Sequence, residues 1–353
     1  MAAQTLASAF VAAPRPSVAR RPASAAALRA AAFRPAAAAR RHAAVAVRAQ
    51  AAAVTTAQGV EQTTTRGLPA VTLKHESGAT VEVTLFGGCV TSWKTSAGQE
   101  VLYIRPDAVF DKSKPISGGM PHCFPQFGPG AIQLHGFARN LDWQLAGAAN
   151  NGGNPSVTLV LSDNDYTRAM WPHAFKAEYT VTLDDEVLRT KLTVTNNGDK
   201  PFEFTASLHS YFGVDDVETA NVRGLEGLEY LDRVADSKHP SVHKELRELV
   251  TFRGPVDSVY KNAPAKVALD NGRGAVAMSS SNWPEIVVWT PWTAMEACYK
   301  EFVCVENAQA TSPVTLAPGA TWAASTAFKA SRDPLLDFCA DNPDSEECRV
   351  YDD

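Results

Sequence analysis

The sequence predicts an all-β protein, built as one large antiparallel β-sandwich. Three observations carry this. Apolar and polar residues alternate with a period of two in one segment after another. Gly-, Asn- and Asp-rich turn signals separate these segments at short intervals. No stretch sustains the 3.6-residue period of a long helix.

The elements follow in chain order, once the first part is set aside. Residues 1–50 hold eight arginines (Arg15, Arg20, Arg21, Arg29, Arg34, Arg40, Arg41 and Arg48), and the first acidic residue is Glu61. Alanine dominates, with scattered serine and proline. This Arg-rich, acid-poor composition is that of an organelle transit peptide. It is expected to be disordered and cleaved between Arg48 and Val54. The Pro- and Ala-rich content leans to the plastid (chloroplast stroma), with the mitochondrion second. A basic tail for nucleic acid is the competing reading.

The next segment, "AVTLKHESGATVEVTLFGG", alternates across a Ser-Gly turn and reads as a hairpin. "PSVTLVLSD", "FKAEYTVTLDDEVLRTKLTVTNNG" and "FEFTASLHSYFGV" repeat the pattern, as do "AKVALDNGRGAVAMSSS" and "EIVVWTP". "SPVTLAPGATWAASTAFKA" closes the fold with another hairpin, and "PLLDF" suggests one helical turn. The expected sandwich domain spans 60–332, and 333–353 form an acidic C-terminal tail.

Charge narrows the partners. The whole chain carries −5; without eight arginines it carries −13. That disfavours nucleic acid and anionic membranes. No stretch after the first segment offers the ~20 apolar residues needed to span a bilayer. The cysteines are Cys89, Cys123, Cys298, Cys304, Cys339 and Cys348, with no CxxC to suggest a zinc ribbon or a thioredoxin-type site. Cys339 and Cys348 flank "CADNPDSEEC", either as a redox-sensitive disulfide or as two free thiols.

No GxSxG, P-loop, HExxH or EF-hand motif occurs. Three clusters stand out instead. "GGMPHCFPQFGPGAIQLHGFARN" (118–140) reads as a loop, yet carries aromatics that seek burial together with His122, His135 and Arg139. "SLHSYFGV" places His209 in an alternating run. "EFVCVENAQ" puts Val303 and Val305 on one strand face, and Cys304 and Glu306 on the other. A buried glutamate has a raised pKa, which suits a general base. Pattern alone leaves Glu306 open between that role and a solvated edge residue. It leaves His209 open between an acid–base role and a core histidine.

Taken in order, "LFGGCVTSWK", "KPISGGMPHCFPQFGPG", "LHGFARNLDWQL", "MWPHAFKAEYTV", "SLHSYFGV", "PVDSVYKN", "VVWTPW" and "FVCVEN" resemble the aldose 1-epimerase superfamily. The branch is that of glucose-6-phosphate 1-epimerase (hexose-6-phosphate mutarotase), whose plant members include apospory-associated protein C. The resemblance runs from Val71 to Phe328. It implies a galactose mutarotase-like supersandwich with a sugar cleft on one sheet. It implies His209 and Glu306 as the catalytic pair, with Asp257, Arg139, His135 and Ser117 binding substrate. The implied activity is interconversion of the α and β anomers of glucose 6-phosphate, with no metal or organic cofactor, in a monomer. Glycines of the 118–140 loop would let backbone approach the sugar, and its aromatics would wall the cleft.

Two positions depart from the family pattern. Ser117 stands where many members have the arginine of "RGG", and Leu134 where many have the glutamine of "QHGFAR". Lys112 and Lys114 lie nearby, as substitutes or as solvated loop charge. The alternatives to the phosphorylated substrate are a free aldose, or a non-catalytic sugar-binding or structural subunit of an organelle complex.

Overall fold

The computed structural model describes residues 57–332. The transit-peptide segment, the 333–353 tail with Cys339 and Cys348, and the "PLLDF" turn lie outside the described residues. Within 57–332 the expected all-β architecture is present in three sheets, and every pairing between strands is antiparallel. The one α-helix among the described residues, Asp165–Met170, is a single short piece started by an Asn164–Thr167 capping box.

The N-terminal sheet has four strands in sequence order: Val60–Thr65, Leu68–Lys74, Thr80–Thr84 and Val90–Lys94. Its central hairpin turns at Ser77-Gly78, with Gly78 at φ +97°, a conformation open to glycine. The nine-stranded sheet holds the long alternating hairpins. In Phe175–Asp184 every second residue (Phe175, Ala177, Tyr179, Val181, Leu183) is fully buried. Alternation of this kind puts one face of the strand in the core, where each large apolar side chain contributes about 1.5–3 kcal/mol.

The eight-stranded sheet matters most for function. Its order is Ser241–Lys244, Glu229–Asp232, Val256–Lys261, Glu285–Thr290, Phe302–Leu316, Phe202–Leu208 and His122–Cys123, with Tyr211–Gly213 also pairing onto Phe302–Leu316. "FVCVENAQ" and "SPVTL", read separately in the sequence, are one continuous strand, Phe302–Leu316. Val303 and Val305 enter the main hydrophobic core with Val288, Ile286, Leu208 and Tyr260. The opposite face is therefore free for chemistry.

The 118–140 loop departs from expectation. Phe124 and Phe137 do not wall a cleft; both are fully buried in the core and meet edge-to-face at 6.2 Å. His122 is also a core residue, stacked on Trp143 at 4.7 Å with Nε2 3.2 Å from the Gly88 carbonyl. The glycines serve the chain's own packing. A Cβ on Gly118 would collide with the Tyr103 carbonyl, on Gly119 with that of Val90, and on Gly136 with that of Phe124. Only Phe127, half-buried beneath the Arg233 guanidinium at 5.2 Å, has the expected cleft position.

Candidate functional site

Strand register brings the site together. Tyr211 and Trp289 both lie opposite Cys304, Asp257 lies opposite Trp289, and Ser207 lies opposite Cys123. Directly opposed residues share a sheet face, so Cys123, Ser207, Tyr211, Asp257, Trp289, Cys304 and Glu306 all project from one side. His209 follows Leu208, whose side chain is in the core, and alternation sends the imidazole to the site side. Its backbone is fixed by a hydrogen bond from its N–H to the Pro121 carbonyl (3.0 Å).

The two residues at the centre meet. His209 Nε2 lies 3.5 Å from Glu306 Oε1, and both side chains are buried. Ser207 Oγ donates to Glu306 Oε2 at 2.9 Å, which fixes the carboxyl and leaves its other oxygen to His209. The imidazole is held by packing: it stacks on Tyr211 (4.8 Å, 15°) and meets the edges of Trp289 (5.7 Å) and His135 (5.5 Å). Its Nδ1 is buried without a hydrogen-bond partner. What sets this histidine apart from the core His122 is the Glu306 carboxyl group beside its Nε2.

Burial sets the charge state. Loss of water pushes the Glu306 carboxyl up to about 8, with the Asp257 carboxylate adding to the rise and Ser207, Arg233 and Arg139 opposing it. Burial pushes the His209 imidazolium down to about 3, reinforced by Arg139 and Arg105. The free site thus holds a neutral imidazole beside a protonated carboxyl: one transferable proton between two groups. Cys123 and Cys304, on the same face, are driven far above the usual thiol range by burial and by Glu306, and stay inert thiols.

His135 stands in the left-handed region (φ +62°) and is locked there from both sides. Its N–H donates to the Gly128 carbonyl (3.0 Å), and its Nδ1 accepts from the Gly128 N–H (3.1 Å). With Nδ1 an acceptor and the imidazolium disfavoured by burial, Nε2 carries the proton and can donate to a sugar oxygen. Arg139 donates to the Leu134 carbonyl (2.9 Å), while its Nε is buried and unpartnered, and no carboxylate pairs with it among the described residues. Leu134 contributes through that carbonyl; its side chain is exposed. Asp257 Oδ1 lies 3.9 Å from Arg233 Nε, and burial raises its pKa.

The sequence-derived set is therefore largely assembled: His209, Glu306, His135, Arg139 and Asp257 meet or act on one another. For Lys112 the solvated-charge reading holds. It is bound to Asp142 (2.7 Å) in an exposed pair and supplies nothing to the site; Lys114 is likewise exposed. Three residues went unassigned in the sequence: Trp289, Arg233 and Arg105. Trp289 lies inside a quoted motif and faces His209 through strand alternation. Arg233 lies in a loop with no motif, and only the fold brings it over Phe127. A hollow of about 390 Å³ lined by Phe127, Leu231, Arg233, Lys238 and Val259 opens beside it.

Comparison with known proteins gives the family. The family description of aldose 1-epimerase matches residues 69–329. A protein of Cenchrus ciliaris bearing the name glucose-6-phosphate 1-epimerase is 35% identical over 279 residues, covering 74% of this chain and 84% of its own. An Escherichia coli protein of the same name is 32% identical over 241 residues, covering 64% and 78%. A crystal structure of a mutarotase from Salmonella typhimurium superposes with a TM-score of 0.70 at 26% identity, over 79% of this chain and 96% of that one. A second family, the CP12 domain, matches residues 320–352, so the acidic tail carries a recognisable pattern of its own. The fold, the buried histidine–glutamate pair and the matched span agree: the chain belongs to the aldose 1-epimerase family.

Proposed function

We propose that the protein is a hexose-6-phosphate mutarotase, interconverting the α and β anomers of glucose 6-phosphate. The observation that carries this is the buried His209–Glu306 pair, 3.5 Å apart with one transferable proton, lying within the field of Arg139, Arg105 and Arg233. The pair's single proton first shifts from Glu306 to His209; Glu306 then takes the proton of the anomeric hydroxyl while His209 gives its own to the ring oxygen, and the ring opens. Rotation about C1–C2 presents the other carbonyl face, and the transfers run backwards on closure. The state left after opening, a protonated Glu306 and a neutral His209, is the one that burial favours. His135 Nε2 and Asp257 are placed to hold hydroxyls. Arg139 is placed to hold anionic oxygen, since a guanidinium fork suits phosphate.

The test is polarimetry or exchange NMR on the protein lacking the first fifty residues, with α-glucose 6-phosphate and α-glucose side by side. Faster equilibration of the phosphorylated sugar is expected. Equal rates for both would make the enzyme a free-aldose mutarotase, and none for either would make it a binding subunit. The pH profile is also fixed. Catalysis needs the pair to hold its single proton, and that proton leaves as pH rises through about 8. The rate constant kcat/KM should be flat through neutrality and fall above about 8. A rate that climbs through that range would instead require Glu306 as an isolated carboxylate base.

We further propose plastid localisation, on the acid-free, arginine-rich composition of residues 1–50. Mass spectrometry of the native protein should find an N-terminus between Arg48 and Val54; an N-terminus at Met1 would refute this.

A further inference from the structure

Resting on the hexose-phosphate reading, we propose that Arg105 is the second anion-binding residue of the cleft, occupying from the neighbouring chain segment the place that Ser117 leaves empty. Ile104 and Gly118 form an antiparallel bridge. The Arg105 N–H donates to the Ser117 carbonyl (3.0 Å) and the Gly119 N–H to the Tyr103 carbonyl (2.8 Å). Arg105 and Ser117 therefore lie directly opposite each other, and opposed side chains emerge on the same face with Cβ atoms about 5 Å apart. The two segments are pressed so close that Gly118 has no room for a Cβ. A guanidinium at 105 thus sweeps the volume that a long side chain at 117 would fill.

That face is the site's face. Tyr103, two residues before Arg105, shares its side of the extended segment and stacks on Phe302 at 5.2 Å. Phe302 in turn meets Tyr211, the residue on which His209 stacks. The Arg105 charge is felt at His209, Tyr211 and Cys304. Its Nε is buried with no partner, as is that of Arg139. The contact it does make, NH2 to Asp107 at 2.7 Å, is to a half-exposed carboxylate. A pair open to water on its carboxylate side is weak, so a phosphate can displace it. Two unspent guanidinium groups near one catalytic pair suit a dianion on a sugar.

The test uses calorimetric Kd values for glucose 6-phosphate and glucose on wild type, Arg105→Gln, and the exchanged variant Arg105→Ser with Ser117→Arg. Loss of one charge-assisted contact should raise the ratio of the two Kd values about tenfold in Arg105→Gln. The exchanged variant should restore that ratio, because either position reaches the same volume. An unchanged ratio in Arg105→Gln, or equal weakening of both sugars, overturns the proposal. So does failure of the exchanged variant to recover while its melting temperature matches wild type. Wild-type turnover of glucose 6-phosphate is measured separately. Its absence would remove the hexose-phosphate reading, while the Kd ratios still decide whether Arg105 holds an anion.

Discussion

Glu306→Gln and His209→Ala should each abolish nearly all anomer interconversion while the fold stays intact. A positioned proton transfer is worth typically about 10²–10⁴-fold, and each change removes one member of a pair that shares a single proton. The glutamine keeps the shape of the side chain and its contact with Ser207, so lost activity cannot be assigned to lost packing. Stability offers an independent check with a definite sign. The carboxyl titrates at about 8 in the fold against 4.5 for an ordinary glutamate. The native state therefore binds more protons than the unfolded state between those values, and wild type loses stability as pH rises through that window. Glu306→Gln has no such loss. It should melt higher than wild type at pH 9 and show little advantage at pH 4. Full activity in either folded variant, read by exchange NMR, would remove that residue from the mechanism.

Gly119→Ala should be severely destabilising for so small a change. The position is at φ +67°, where a side chain costs about 1–2 kcal/mol. Its Cβ would also overlap the Val90 carbonyl oxygen. Relief requires moving a segment tied on both sides: Gly119 donates to the Tyr103 carbonyl and accepts from the Tyr211 N–H, each at 2.8 Å. A loss above about 4 kcal/mol is expected, in the range reserved for a named steric fault, or roughly 10 °C in melting temperature for a domain of this size. Because Tyr211 carries His209, activity should fall even in molecules that remain folded. If Gly119→Ala melts within about 2 °C of wild type, the close approach is not a constraint on the fold.

Much of this was legible in the sequence, for stated reasons. Two-residue alternation identified Phe175–Asp184 and the face shared by Cys304 and Glu306, because the pleat imposes that period on any half-buried strand. The family motifs identified His209, Glu306, Arg139, His135 and Asp257. What was misread came from composition without geometry. The glycines and phenylalanines of 118–140 suggested a cleft-facing loop, yet most of them pack the chain against itself. Arg105 was invisible, since its position opposite Ser117 depends on a bridge between segments that no periodicity announces.

The position of the last strand has a mechanical consequence. Thr321–Arg332 lies inside the nine-stranded sheet, paired along its length with Val187–Asn196 on one side and Gly274–Ser281 on the other. The CP12 match begins at residue 320, immediately before this strand, and takes in its whole length. Tension applied to the C-terminal segment therefore loads two antiparallel ladders in shear, the direction in which all their hydrogen bonds must yield together. A shortened chain, for the same reason, can end at Arg332 but not at Ala320.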